Sequence, residues 1–127
     1  MPQAPPDDRR YLKTHEWHRL REDGLVEIGI SAAAVDELTD ITFLEVSTLD
    51  ERLKAGDVLG EIESVKATSD LYCGVAGTVV AVNEAALERP ELINEDCYGR
   101  GWIARLRPDH SESLEELLTA VDYARLI

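Results

Sequence analysis

The apolar residues of this chain come in short bursts interrupted by glycine, and that spacing limits the fold more than any other feature. Positions 25–30, 41–46, 58–63, 78–82 and 102–106 are runs of five or six residues rich in Val, Ile and Leu. Between them stand Asp23-Gly24, Lys54-Ala55-Gly56-Asp57, Gly74-Val75-Ala76-Gly77 and Gly99-Arg100-Gly101. Short runs bounded by such turn formers read as strands, and no long parallel crossovers are needed to connect them. The pattern predicts a mostly β fold, a sandwich or flattened barrel with helices at its periphery. With 127 residues, one domain around one core is expected.

Within that outline, residues 15–20 and 25–30 form the arms of a hairpin across Asp23-Gly24. Ser31 is placed to cap a short helix over 32–38, after which 41–46 resumes a strand. Residues 58–63 alternate apolar with small or acidic side chains and so aim a strand directly at Ser64. Residues 67–72 and 78–82 follow as strands, Asn83 is set to cap a second short helix, and Pro90 must end that helix or follow it closely. Ser113-Leu114-Glu115-Glu116 has the capping-box form, and Leu114, Leu117, Leu118 and Val121 recur at helical spacing. They predict a C-terminal amphipathic helix over 113–125, lying on the sheet. The segments beginning Gly24-Leu25-Val26 and Gly77-Thr78-Val79 each lead a strand into a capped helix, a faint internal echo.

Twenty-six acidic residues against 13 basic ones give a formal net charge of −13. A phosphate backbone calls for clustered Lys and Arg, whereas the basic residues here are scattered and the only lysines are Lys13, Lys54 and Lys66. Nucleic acid is therefore not the expected partner. The acidity keeps the chain soluble and also suits steering toward basic patches on larger enzymes. Apolar residues make up 44% of the chain, but no run approaches the roughly 20 residues of a membrane span. Residues 1–10 hold three prolines and four charges with no apolar stretch, so they match neither a secretory signal nor a transit peptide. A disordered, solvated tail and a cytoplasmic location are expected. Cys73 and Cys97 form no Cys-x-x-Cys pair and lack a neighbouring His, which excludes the usual zinc spacings and leaves two packed free thiols.

Catalytic signatures are missing. The chain has no Gly-x-Ser-x-Gly elbow, no phosphate-cradling loop and no dinucleotide fingerprint. His15-Glu16-Trp17-His18 has its histidines three apart on an expected strand, where they face opposite sides and cannot share a metal. What remains is Gly60-Glu61-Ile62-Glu63-Ser64-Val65-Lys66-Ala67-Thr68-Ser69-Asp70, a strand, a turn and a second strand. Here Glu63-Ser64-Val65-Lys66-Ala67 resembles the lipoylation site of the glycine cleavage H-protein family, with Lys66 on the lysine that carries the lipoyl group. Tyr11, His15-Glu16-Trp17, Gly29-Ile30, Thr68-Ser69-Asp70, Gly77, Val82-Asn83-Glu84, Pro90-Glu91-Leu92-Ile93-Asn94, Tyr98-Gly99 and Gly101-Trp102 are similar to family positions in the same order.

The resemblance implies a non-catalytic carrier with a barrel-sandwich hybrid fold over residues 11–127, the type shared by lipoyl and biotinyl carriers. It implies lipoate in amide linkage to Lys66, flanked on the turn by Glu63, Ser64, Val65 and Ala67. The implied partners are glycine decarboxylase, aminomethyltransferase, lipoamide dehydrogenase and a lipoate ligase or lipoyl transferase. It further implies a surface cleft for the loaded arm at Thr14, Glu16, Leu38 and Asp70, with Glu16 and Asp70 meeting a cationic amine. Taken on their own, those two residues read as ordinary surface carboxylates.

Some positions depart from the family pattern. Thr39-Asp40 stands where Gly-Asp is usual, residues 47–50 lack the usual Pro and Gly, Cys73-Gly74 replaces Ser-Pro, and Cys97 replaces Pro. Cys73 lies seven residues beyond Lys66, at most about 25 Å along a strand. If Cys73 and Cys97 were redox thiols, the chain would resemble instead the lipoate-binding proteins that serve bacterial sulfur oxidation beside a heterodisulfide-reductase-like complex. A biotin carrier has the same hairpin, but its lysine is usually flanked by methionines, where this chain has Val65 and Ala67. An unmodified binding module is the remaining alternative.

Overall fold

The computed structural model describes residues 3–127. In chain order its elements are β1 (Arg10–Tyr11), β2 (Glu16–Leu20), β3 (Val26–Ile30), α1 (Ala32–Leu38), β4 (Ile41–Glu45), β5 (Arg52–Leu53), β6 (Val58–Ser64), β7 (Thr68–Tyr72), β8 (Gly77–Val82), α2 (Glu84–Glu88), α3 (Glu91–Glu95), β9 (Ala104–Pro108) and α4 (Ala120–Leu126). The strands make two antiparallel sheets: six strands in the order β1-β2-β3-β9-β8-β5, and three in the order β4-β6-β7. The mostly β expectation holds, and the sheets pack on one another without closing into a barrel.

The core lies between them. Val26, Ile28 and Ile30 from β3, Val79 from β8 and Leu106 from β9 meet Leu44 from β4, Leu59 and Ile62 from β6 and Leu71 from β7. Removing a buried aliphatic side chain from such a position costs about 2–5 kcal/mol. A second cluster joins Tyr11, Trp17 and Tyr123, in which the Tyr11 and Tyr123 rings stack at 4.6 Å. Gly29 faces Trp17 across the β2–β3 pair, where a Cβ would come within 2.5 Å of the indole. Only glycine lets that ring close over the strand.

The two helix caps differ. Ser31 caps α1 as expected, its side chain accepting from the Ala34 N–H. Asn83 does precede α2 but does not cap it; its side-chain amide donates to the Arg100 and Trp102 carbonyls, both at 2.8 Å, and so ties the β8 end to the loop before β9. Beyond Pro90 a further helix, α3, was not expected.

Both chain ends also depart from expectation. The helix expected over 113–125 is divided: Ser111–Glu116 forms a 3-10 turn, Leu118 pairs with Tyr11 in an extended bridge, and only then does α4 begin. Thr119, not Ser113, caps that helix by accepting from the Asp122 N–H. The Leu114–Val121 spacing imitates one helical stripe, yet Val121 is exposed and the buried residue of α4 is Tyr123. The solvated tail expected over 1–10 is packed at Pro6, Arg9 and Arg10 while Asp7 and Asp8 stay exposed; its first two positions lie outside the described residues. The Pro6 carbonyl accepts from Tyr11 Oη, and the Arg9 guanidinium sits 4.6 Å over the Trp17 ring, while Arg10 already belongs to β1. Burial of the arginine over an aromatic face outweighs the entropy of a loose end.

Candidate functional site

The Lys66 turn closes the β6–β7 hairpin, whose strands pair Glu63 with Thr68, Ile62 with Ser69 and Glu61 with Asp70. Ile62 points into the core, so Glu61 and Glu63 point out. Val65 and Lys66 are the two residues between the paired Ser64 and Ala67. Two-residue hairpins usually need positive φ at their centre, but neither residue has it. Ser64 closes the turn instead. Its N–H donates to the Ala67 carbonyl at 2.8 Å, and its Oγ accepts from the Lys66 and Ala67 N–H groups at 3.1 and 3.0 Å. The small hydroxyl residue before the lysine is thus the local reason why the chain reverses there.

A second anchor comes from the loop after α1. The Val65 N–H donates to the Asp40 carbonyl at 3.1 Å, and Asn94 of α3 holds that loop on both sides of Asp40. Its Oδ1 accepts from the Ile41 N–H at 2.9 Å and its Nδ2 donates to the Thr39 carbonyl at 2.7 Å. Sequence reasoning missed Asn94 as a positioning residue, because nothing local marks an asparagine that acts on a loop more than fifty residues away. Thr39 itself has φ 62° and ψ −134°, a backbone shape suited to glycine.

The side chain at the tip is free. Val65, Lys66 and Ala67 are exposed, Val65 at 70%, and among the described residues Lys66 forms no ion pair. Further down the hairpin Glu45, Glu61 and Asp70 are aligned across β4, β6 and β7 and form no ion pair with Lys66. The arrangement keeps the amine accessible while its backbone is held at both ends.

The expected cleft residues fall into two groups. Thr14 donates through Oγ1 to Glu16, and the other Glu16 oxygen accepts from the Tyr72 N–H at 2.7 Å, two residues past Asp70 on β7. Glu16 is 1% exposed and not a surface carboxylate; burial raises its pKa above the usual range against the bonds from Thr14 and Tyr72. Asp70 is exposed, and Leu38 packs against the core at the end of α1. Among the described residues no hydrogen bond or ion pair joins Leu38 or Asp70 to Glu16. A groove of about 710 Å³ lined by Lys13, His15, Ala33, Asp36, Glu37, Leu126 and Ile127 contains none of these residues and not Lys66. Size does not mark the Lys66 tip, which is open and not enclosed.

Cys73 and Cys97 are both buried and unpaired, and burial pushes each thiol up to about 11. Cys73 Sγ donates to the Val75 carbonyl at 3.0 Å. Neither offers a thiolate at neutral pH, as packed thiols would not. His18 is fully buried beneath the β7–β8 turn, its Nε2 accepting from the Gly74 N–H at 2.9 Å.

Comparison with known proteins accords with this geometry. The family model described as glycine cleavage H-protein matches residues 9–127. A glycine cleavage system H protein of Alkalilimnicola ehrlichii is 46% identical over 122 residues, covering 96% of this chain and 94% of the relative. One from Psychrobacter cryohalolentis is 43% identical over 118 residues, covering 93% and 94%. Among solved structures, the crystal structure of a glycine cleavage system H protein from Mycobacterium marinum superposes with a TM-score of 0.87 at 39% identity, covering 95% of this chain and 97% of that one. A match over nearly the whole length, in sequence and in fold, leaves one conclusion: this chain belongs to the glycine cleavage H-protein family.

Proposed function

We propose that this chain is the lipoyl carrier of a glycine cleavage system, non-catalytic in itself and acylated at Lys66 Nζ. The observation that carries the reading is an exposed, unpaired lysine at the end of a hairpin whose backbone is tied to Ser64 on one side and Asp40 on the other. When bound, the lipoyl group supplies a dithiolane that takes up a group or two electrons by thiol–disulfide exchange. The chain supplies the rest. Lys66 Nζ gives its lone pair to the acyl carbon of an activated lipoate as the leaving group departs, and its proton passes to the acylating ligase or transferase, since no carboxylate among the described residues engages it. Val65 and Ala67 leave the amine uncrowded, and the rigid hairpin fixes where the tether starts. Tethering replaces free encounter by an effective concentration in the millimolar range.

In this reading the carrier takes an aminomethyl group from glycine decarboxylase to the aminomethyltransferase, and lipoamide dehydrogenase reoxidises it. Asp70, exposed on β7, would receive the cationic amine; Glu16, buried on β2 and accepting from the Tyr72 N–H two residues further along β7, would hold that strand in place, with Thr14 orienting Glu16 and Leu38 lining the apolar part of the cleft. No helix of the described residues is long and apolar enough to cross a membrane, which agrees with a cytoplasmic role. The buried, high-pKa cysteines remove the feature that favoured sulfur oxidation.

Expression with lipoate and a lipoate–protein ligase tests the site. Intact mass should rise by one lipoyl group, mapped to Lys66, and Lys66→Arg should stay unmodified. Modification surviving in that variant overturns the site. Failure of the lipoylated chain to support glycine-dependent release of carbon dioxide by a glycine decarboxylase overturns the pathway but not the carrier.

A further inference from the structure

A hairpin that must be found by other proteins has a backbone as well as a tip. The pairing in β6–β7 alternates between residues that exchange hydrogen bonds and residues that do not. The Ser64 N–H donates to the Ala67 carbonyl, which sets the alternation so that Ile62 with Ser69 and Gly60 with Leu71 fall at bonded positions, whereas Thr68 and Asp70 turn their N–H and C=O groups away from β6. β7 is the last strand of its sheet, so these groups face outward. Thr68, Ser69 and Asp70 are all exposed.

The other strand edges are managed. β1 is bridged by Leu118, whose N–H and C=O both bond Tyr11. β5 has only two residues. On the outer side of β4, the Ile41 N–H is taken by Asn94, and α2 and α3 pack along the strand. On β7 itself the next outward amide, Tyr72, is capped by Glu16. The Asp70 carbonyl accepts from Ser69 Oγ at 3.3 Å, so the outward groups left open among the described residues are the Thr68 N–H and C=O and the Asp70 N–H, and they begin two residues from Lys66. Open edges are ordinarily blunted because they recruit other strands, and one left open beside the modified residue is suited to recruitment.

We infer that Thr68 and Asp70 form a docking edge for an extended segment of the enzyme that acylates Lys66. This rests on the carrier reading above. The acylating enzyme is the favoured occupant because its active site must reach Lys66 itself, whose backbone lies within about 7 Å of Thr68 along the chain, while enzymes that use the far end of the arm can work at a distance from the turn. The added segment pairs antiparallel or parallel with β7 through the outward groups of these two residues, in the manner of strand addition at other sheet edges. Backbone bonds read no side chain, so the edge supplies position and the turn residues supply identity.

Thr68→Pro removes one outward donor while leaving the bonds to β6 untouched; Thr68→Ala keeps the donor. With unlipoylated chain and a purified lipoate–protein ligase, Thr68→Pro should raise KM at least tenfold with little change in kcat, and Thr68→Ala should stay within twofold. Equal acylation of all three proteins, or equal loss in both variants, overturns the inference, the second because it points to the threonine side chain. Amide exchange on the wild-type chain covers a misfolded proline variant: the Thr68 and Asp70 amides should slow at least fivefold on adding the ligase. No slowing, or slowing that depends on the concentration of this chain alone and so marks pairing with a second copy, also overturns it. A wild-type chain that is not acylated at all refutes the carrier reading, and is told apart by its unchanged mass.

Discussion

Glu27 and Lys66 show opposite treatments of a charge. Glu27 lies on β3 at 3% exposure, with the guanidinium groups of Arg19, Arg21 and Arg105 at 3.1, 3.1 and 2.9 Å. Arg19, Glu27 and Arg105 stand opposite one another across β2, β3 and β9, so the register of three strands brings the cluster together. Among the described residues Lys66 has no such neighbour, and it sits on a two-residue turn instead. In a chain of net charge −13, keeping a lysine unpaired is the less expected outcome. The difference lies in what is held: at Glu27 the side chains are fixed by one another, at Lys66 only the backbone is fixed. A structural charge is surrounded, and a chemical one is held from behind.

The sharpest way to break that contrast is to remove the carboxylate. Glu27→Gln leaves three guanidinium groups facing one another and should lower stability by about 3 kcal/mol, read as a shift in the urea midpoint. Lys66→Gln, by contrast, should leave the midpoint unchanged. Burial pulls the Glu27 carboxyl up, but the bonds from Arg19 and Arg105 outweigh it and hold the group below the usual range. Its contribution is therefore present above the unfolded pKa and lost as pH falls through the lower folded one.

A buried base gives an effect of similar size with a different signature. Burial pushes His18 down to about 4 from 6.5. The unfolded chain takes up the proton first, so stability should fall by about 3 kcal/mol as pH drops from 6.5 to 4. His18→Gln should remove that component of the slope, and identical pH profiles for the two proteins would contradict the assignment.

Two smaller effects address how Lys66 is held. Asn94→Ala should cost about 1–2 kcal/mol through two lost hydrogen bonds and raise exchange at the Val65 amide while leaving Ser69 unaffected. Unchanged Val65 exchange would show that the loop at Asp40 needs no clamp. Thr39→Gly should stabilise the chain by about 1 kcal/mol, because the branched residue occupies a backbone shape that glycine adopts freely. A lower midpoint in that variant would mean the threonine conformation is not strained.

The central hairpin was legible because its cues are local: alternation over 58–63, a serine before the turn and β-formers after it. The Ser31 cap was legible for the same reason. The division of the C-terminal helix was not, since Leu114, Leu117, Leu118 and Val121 satisfy helical spacing even though Tyr11 draws Leu118 into an extended bridge. Thr119 followed by Asp122 was the available signal, a capping residue with an acid three positions on. At the site, Lys66 could be found from its motif, but Glu16 looked like a surface acid because its burial is created by β7, which lies far along the chain. Asn94 and the Asp40 carbonyl escape sequence reading entirely, as their role exists only once α3 reaches the loop after α1.

Because the Asp40 carbonyl holds the amide of the residue before the lysine, the attachment point we propose behaves as a fixed pivot. Any chain hung from it sweeps a cap of space set by its own rotatable bonds, and bending of the protein adds little to its reach. In the proposed carrier role, enzymes sharing such a cargo would bring their entrances to this one corner in turn, since two of them cannot occupy it together.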